Sequence, residues 1–154
     1  MKKATLFVLF AAILLGACDT ATQNTQSAGM PVQGTWQLIS GTTIEKGDTT
    51  VTYYTNNLSF IKIINDTHFA FLKHDLKKGK DSTASFGSGG GRYELKDSLY
   101  TEHLEYCSDR EWEGNDFTFT ITLKNDTLAQ SGIEKVENAG INRINIEKYV
   151  RVRK

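Results

Sequence analysis

Two cysteines and three histidines are the side chains of this 154-residue sequence that most directly suggest chemistry. His103 and Glu105 are separated by one residue, so in an extended strand an imidazole and a carboxylate lie on the same face. Such a pair can act as a general base and the group that orients it. On strands, however, pairs of this kind are usually solvated on the outer face. We therefore predict no catalytic residue and keep His103 and Glu105 as an enzymatic alternative.

The other candidates for catalysis or cofactor binding fail on spacing. His68 and His74 share strand parity, but six residues of extended strand separate them by roughly 20 Å, too far to share a metal ion. The segment "SFGSGGGRYEL" (Ser85 to Leu95) lacks the Lys-Ser/Thr of a phosphate-binding loop, and Arg92 stands where a dinucleotide fingerprint needs glycine. We interpret its glycines as a bend or bulge in a coiled strand, and we predict no metal and no cofactor.

Cys18 follows a segment with the features of an export signal. Lys2 and Lys3 precede an uncharged apolar run, Ala4 to Leu15, that is short for a membrane span. The small residues before Cys18 make the pattern similar to the bacterial lipobox, in which the cysteine is acylated and becomes the first residue. The resemblance implies a signal peptide over residues 1–17 and a lipid anchor that holds the protein in the cell envelope, on the inner or the outer membrane. The alternatives are an ordinary secretory signal with an incidental cysteine, or a short core helix.

Composition and charge restrict the possible partners. Residues 18–31 comprise Cys18 and a polar segment without apolar periodicity, which predicts a flexible tether. Cleavage at Cys18 removes two lysines and no acidic residue, so the mature chain is slightly acidic and has no long-range attraction for nucleic acid. With Cys18 acylated, Cys107 has no partner for an intramolecular disulfide, and the fold depends on its core. We expect a monomer.

Apolar residues over 32–154 alternate with polar ones in a way that predicts one all-β domain. In "FTFTITL" (Phe117 to Leu123), phenylalanine, isoleucine and leucine lie on one face and three threonines on the other. Turn signals separate such segments at Asn65-Asp66, Lys96-Asp97, Asn125-Asp126 and Asn138 to Gly140. No segment shows a convincing helical period. We predict a single antiparallel up-and-down β-barrel of eight to nine strands.

Several segments in order resemble the bacterial lipocalin-like lipoproteins, small exported barrels largely of unassigned function. The segments are "GTWQL" (34–38), "NDTHFAF" (65–71), "GGGRYEL", "YTEHLEY" and the final "EKYVRVRK". The resemblance implies a lipocalin-like barrel in which the tryptophan plugs one end and a basic residue near the last strand lies over its ring. Trp36 and Arg151 take these positions here, with Arg153 as the alternative basic residue. Gly34 would let the entering backbone cross close beneath the ring.

A barrel plugged at one end can open at the other, and eight strands can enclose one small ligand. We therefore predict a membrane-anchored exported protein that binds a small, largely apolar molecule in the barrel mouth. The same aromatic residues could instead fill a solid core, which would favour a non-enzymatic interaction module of the envelope. The candidate lining residues are Phe60, Phe69, Phe71, Tyr93, Tyr106 and Phe119.

Overall fold

The computed structural model describes residues 30–153, which form one antiparallel sheet and a single 3-10 turn, Arg110–Trp112. The predicted signal peptide, Cys18 and most of the predicted tether lie outside the described residues. Within 30–153, no helix has the length and apolar character needed to cross a membrane. The strands are β1 (Gly34–Glu45), β2 (Asp48–Tyr53), β3 (Leu58–Ile64), β4 (His68–Asp75), β5 (Phe86–Lys96), β6 (Leu99–Cys107), β7 (Asp116–Lys124), β8 (Thr127–Val136) and β9 (Ile141–Arg151).

Eight of these strands close into a barrel, as predicted. The sheet runs β1-β3-β4-β5-β6-β7-β8-β9, and β9 pairs back onto β1 between Trp36 and Ile44. The ninth strand, β2, forms a hairpin with the C-terminal half of β1, whereas the start of β1 pairs with β3. Closure gives the barrel strands partners on both sides, and the six residues of β2 are all exposed.

The hairpin loops lie where the turn signals predict them. Asn65 Oδ1 accepts hydrogen bonds from the backbone N–H groups of Thr67 (2.9 Å) and His68 (2.7 Å), an Asx turn between β3 and β4. Asp97 and Asn125 adopt positive φ angles of 56° and 54° in the next two hairpins at the same end of the barrel. Short loops of this kind join the barrel strands at that end and favour the meander order over a Greek key.

A bulge lies beside the glycine-rich segment of β5, but its extra residue is on the neighbouring strand β6 and not on β5 as predicted. Gly90 pairs with Tyr106 and Gly91 pairs with Leu104, so Glu105 is an extra residue on β6. A Cβ atom on Gly91 would overlap the carbonyl oxygen of His103, and these glycines therefore allow a close backbone approach. Because of this extra residue, the side chains of β6 after Glu105 point to the opposite face from the one that strict alternation predicts.

The barrel interior is divided into an apolar half and a polar half. The apolar half lies at the end with the short β3–β4, β5–β6 and β7–β8 turns, and its side chains are almost completely buried. They are Val32, Trp36, Leu38, Ile64, Phe69, Tyr100, Ile121, Leu128 and Tyr149. The opposite half carries the longer loops 54–57, 76–85 and 108–115. Its interior combines buried polar side chains with the apolar residues Leu104, Phe117, Phe119 and Val136.

Candidate functional site

The polar half of the barrel surrounds a cavity of about 470 Å³, a size typical of small-molecule sites. All eight barrel strands, the strand β2 and the loop that follows β6 contribute to its wall. One part of the wall is aromatic and the other carries charged and amide side chains. The cavity wall is therefore neither wholly apolar nor wholly polar.

The aromatic wall is built around Phe60 and Phe71, on the adjacent strands β3 and β4. Their rings stack with centroids 5.6 Å apart, and Tyr54 meets Phe60 edge-on at the same distance. Across the barrel, Trp112 packs against Phe117 with ring centroids 5.7 Å apart. These rings are packed against one another, so they present fixed apolar surfaces to the cavity.

The cavity floor contains a buried lysine. Lys62 is 3% exposed, and its ammonium group donates to Glu102 Oε1 at 2.7 Å and to Gln130 Oε1 at 3.1 Å. The rings of Tyr149 and Phe69 lie 5.2 and 5.8 Å from the same nitrogen. A buried charge requires such compensation, and burial still raises the pKa of the Glu102 carboxyl above its ordinary value despite the adjacent Lys62.

Glu147 continues this network along β9. Gln130 Nε2 donates to Glu147 Oε2 at 2.7 Å, and the Tyr149 hydroxyl donates to the same oxygen at 2.6 Å. Burial and the Glu147 charge raise the pKa of the Tyr149 hydroxyl, which keeps it protonated as a donor. The carboxylate is therefore held in one orientation by two neutral donors.

A second charged group lies nearer to the open end. Arg143 Nη2 is 2.7 Å from Glu134 Oε2, and Asn145 donates to Glu134 Oε1 at 2.7 Å. The Arg143 guanidinium also lies 5.3 Å from the centroid of the Trp112 ring. Burial raises the pKa of the Glu134 carboxyl, and the Arg143 charge opposes that change. Arg143 thus connects the polar wall to the aromatic one.

The cavity wall also carries a thiol. Cys107 lines the cavity and has no disulfide partner among residues 30–153, but burial raises the pKa of its thiol, which disfavours the nucleophilic thiolate. In the same range, no group of three His, Cys, Asp or Glu side chains is placed to hold a metal ion. What the site offers is a shaped volume with a few fixed polar groups.

The structure brings together three of the six aromatic residues that the sequence suggested as ligand contacts. Phe60, Phe71 and Phe119 lie on the cavity wall. Phe69 lies in the apolar half, 2% exposed and beneath Lys62. Whether the three wall residues contact a ligand stays a prediction.

The remaining two aromatics lie away from the cavity for different reasons. Tyr93 is at the closed end, where its ring packs against Tyr100 at 5.2 Å and its hydroxyl donates to the Asn65 carbonyl. Tyr106 is 67% exposed on the outer surface. The extra residue Glu105 turns Tyr106 outward and places Cys107 on the cavity wall instead.

His103 and Glu105 both lie on the outer face of β6 and do not meet each other. His103 Nδ1 is 2.8 Å from Asp116 Oδ1, and Glu105 accepts a hydrogen bond of 2.6 Å from Arg92. The enzymatic alternative required both side chains to converge inside the mouth, and the structure does not place them there.

At the closed end, Trp36, Arg151 and Gly34 contact one another. Trp36 is fully buried, and its indole N–H donates to the Val32 carbonyl at 2.8 Å. The Arg151 guanidinium lies 4.1 Å from the centroid of the Trp36 ring. Gly34 has a φ of 138°, and a Cβ atom there would come within 2.5 Å of Arg151 Nη1.

Sequence reasoning missed the polar residues of the floor. On β9, the alternation separates Ile144 and Ile146 from Asn145 and Glu147, and the apolar face is normally assigned to the interior. The structure has the opposite arrangement, with Ile144 and Ile146 about two-fifths exposed and Asn145 buried. Polar residues at alternate positions on several strands could have indicated a polar interior. That pattern is recognisable only when the strands are compared with one another.

The fold and the site together define a closed eight-stranded antiparallel β-barrel with an internal cavity open at one end. No protein-family model matches the sequence, and no curated protein matches it significantly. Among solved structures, the chain is similar to the crystal structure of an uncharacterized protein from Bacteroides eggerthii DSM 20697. The sequence identity is 13% and the TM-score 0.47, and the similarity covers 78% of this chain and 98% of the other.

Proposed function

We infer that this protein is an exported, lipid-anchored binding protein of the lipocalin-like kind, and that its barrel cavity binds a small amphipathic molecule. The observation that carries this proposal is the cavity of about 470 Å³, which has aromatic rings on one side and charged groups on the other. A molecule with an apolar body and one polar group would contact both parts. The charged floor makes such a ligand a better match than the largely apolar molecule expected from the sequence.

The anchor in this proposal depends on the sequence around Cys18. Two or more acyl chains attach a protein stably, whereas a single chain holds it only marginally. A tether of the thirteen residues 19–31 would span roughly 20 Å as a flexible coil. The barrel would then stay close to the membrane surface, where amphipathic molecules concentrate.

The test uses the full chain purified from its own membrane and transferred to lipid nanodiscs. Extraction with organic solvent followed by mass spectrometry is expected to release a small molecule that is not found with empty nanodiscs. A second measurement follows tryptophan fluorescence during titration with a neutral apolar probe. Trp112 lies on the cavity wall and Trp36 at the closed end, so the fluorescence change should disappear in Trp112→Phe.

A cavity-blocking variant provides the control. Gly87 lines the cavity, and a Cβ atom there would contact only the flexible end of Lys73 and the Ser108 hydroxyl at 3.5 and 3.8 Å. Gly87→Leu should therefore fill part of the cavity and weaken probe binding without disturbing the backbone. Equal binding by Gly87→Leu, or no response in the unmodified protein, would contradict the proposal.

A further inference from the structure

The cations and carboxylates of the cavity do not match one to one. Lys62 is paired with Glu102, and Arg143 is paired with Glu134, each across 2.7 Å. Glu147 has no Lys, Arg or His nitrogen within 4 Å among residues 30–153, although it lies on the cavity wall. Two carboxylates of the cavity wall, Asp109 and Glu147, therefore have no cation within 4 Å among residues 30–153. Asp109 is exposed, whereas Glu147 is partly buried in the network of the cavity floor.

One oxygen of Glu147 is available to a ligand. Both hydrogen bonds that this carboxylate accepts, from Gln130 and Tyr149, end on Oε2. Within the described part of the chain, Oε1 accepts none, and it is not among the buried polar atoms sealed off from solvent. An acceptor that is already oriented binds a donor without the entropic cost of ordering its own side chain.

The chemistry of this oxygen favours an organic cation. A metal ion needs several ligands at once, and residues 30–153 contain no suitable group of three. A protonated amine needs one carboxylate and an apolar surface for its body, which the rings of Phe60 and Phe71 supply. Hydrogen bonds to charged groups are roughly twice as strong as neutral ones.

Lys73 is the main competing group. It lies on the cavity wall near the open end and, among residues 30–153, has no carboxylate within 4 Å. A ligand with a carboxylate would form an ion pair with Lys73. Lys73 is an unbonded, flexible side chain, however, whereas Glu147 is held by two donors, so the observations favour recognition at Glu147.

We propose that the barrel cavity selects molecules with a primary amine attached to an apolar body, and that Glu147 Oε1 binds the ammonium group. This inference rests on the proposed binding function and specifies the ligand class. The ammonium group would supply the missing cation of the floor, and the apolar body would extend along the Phe60–Phe71 wall toward the open end.

The test compares three probes with the same skeleton: phenylbutylamine, phenylbutanol and phenylbutyrate. Their affinities for the full chain in nanodiscs are measured by titration calorimetry at neutral pH, with empty nanodiscs as the baseline. We expect the amine to bind about tenfold more tightly than the alcohol, because it adds one charge-assisted hydrogen bond. We expect phenylbutyrate to bind most weakly.

Glu147→Gln is the decisive variant because its amide oxygen can still accept from Gln130 and Tyr149. The amine should lose its advantage and bind within about twofold of the alcohol, whose affinity should be unchanged. Glu94→Gln is the matched control. It removes the same charge, and Glu94 is 81% exposed on the outer face of the barrel. It should keep the preference for the amine.

Four results would overturn the inference. They are equal binding of amine and alcohol by the unmodified protein, tightest binding of phenylbutyrate, an unchanged preference in Glu147→Gln, and loss of phenylbutanol binding in that variant. The last would mean that the carboxylate holds the cavity together instead of selecting charge. If no probe binds at all, the proposed binding function fails as well, which separates the two conclusions.

Discussion

Replacing Trp36 by alanine removes a fully buried indole from the closed end of the barrel. Large-to-small substitutions of buried aromatic residues destabilise by about 3–5 kcal/mol, because the surroundings only partly fill the void. The Trp36 hydrogen bond to the Val32 carbonyl is lost as well. Domains of this size are stable by only about 5–15 kcal/mol, so Trp36→Ala should bring the protein close to unfolding.

Replacing Arg151 removes a different set of contacts at the same place. Its guanidinium donates to the carbonyls of Gln33 and Pro31 at 2.7 and 2.9 Å and lies over the Trp36 ring. The side chain is 25% exposed, so water replaces part of what is lost. We expect Arg151→Ala to cost about 1–3 kcal/mol, of which about 0.5–2 kcal/mol is the cation–π contact.

The contact between the two side chains is measured by a double-mutant cycle. Both single variants lose the same cation–π interaction, so the double variant should be destabilised by about 0.5–2 kcal/mol less than the sum of the single losses. Urea unfolding followed by circular dichroism gives the four free energies, using the chain from residue 18 with Cys18→Ser. Trp36→Phe replaces Trp36→Ala if the latter does not fold.

Arg153→Ala provides the matched control for this cycle. Arg153 is 76% exposed and pairs with Asp126, which also lies 3.7 Å from Arg151 Nε. Among residues 30–153, the cation over the Trp36 ring is Arg151 and not Arg153. Arg153→Ala should show no coupling to Trp36 and should change stability by less than about 0.5 kcal/mol. Additivity of Trp36 and Arg151 within about 0.3–0.5 kcal/mol would refute the reasoning, because it would mean that the two side chains do not interact energetically.

Three further predictions concern other parts of the chain. Cys18→Ser should move the protein from the membrane fraction to the soluble fraction and abolish incorporation of a labelled fatty acid; continued labelling would contradict the lipid anchor. Gly91→Ala should lower the free energy of unfolding by roughly 1–3 kcal/mol, since its Cβ would overlap the His103 carbonyl, whereas Gly87→Ala should change it by less than about 0.5 kcal/mol. Asp75 accepts hydrogen bonds from two backbone N–H groups of the following loop, which lower the pKa of its carboxyl below the ordinary value of 3.8. That stabilisation is present above pH 3.8 and is lost as the pH falls through the lowered pKa, so Asp75→Asn should be less stable than the unmodified protein at neutral pH and match it in strong acid. A stability difference that persists unchanged into acid would show that the carboxylate charge is not the cause.

The predictable part of the site was its aromatic side. Phe71 and Phe119 lie in segments whose alternation has one consistent inner face, and both reach the cavity wall. Tyr106 could not be placed in the same way, because the extra residue at Glu105 exchanges the two faces after Leu104. A bulge of this kind depends on how closely two strands approach each other. That distance cannot be predicted from the sequence of one strand.

The polar floor was not predictable for a related reason. Lys62 is an unremarkable lysine between isoleucines in "LSFIKII", and exposure is the usual state for such a residue. Its burial is possible only because Glu102 and Gln130, 40 and 68 residues away, supply its partners. Pairing over such separations is decided by strand register around the whole barrel.

The sequence by itself determined the class of fold and the connections between the strands. Period-two alternation and turn residues such as Asn65 and Asp97 act within a few residues, so their physical effect can be read locally. Only the tertiary structure decided which face of β9 points inward and that Glu147 has no cation within 4 Å among residues 30–153. Those outcomes depend on closure of the barrel, which brings distant strands together and sets the partners of every buried charge.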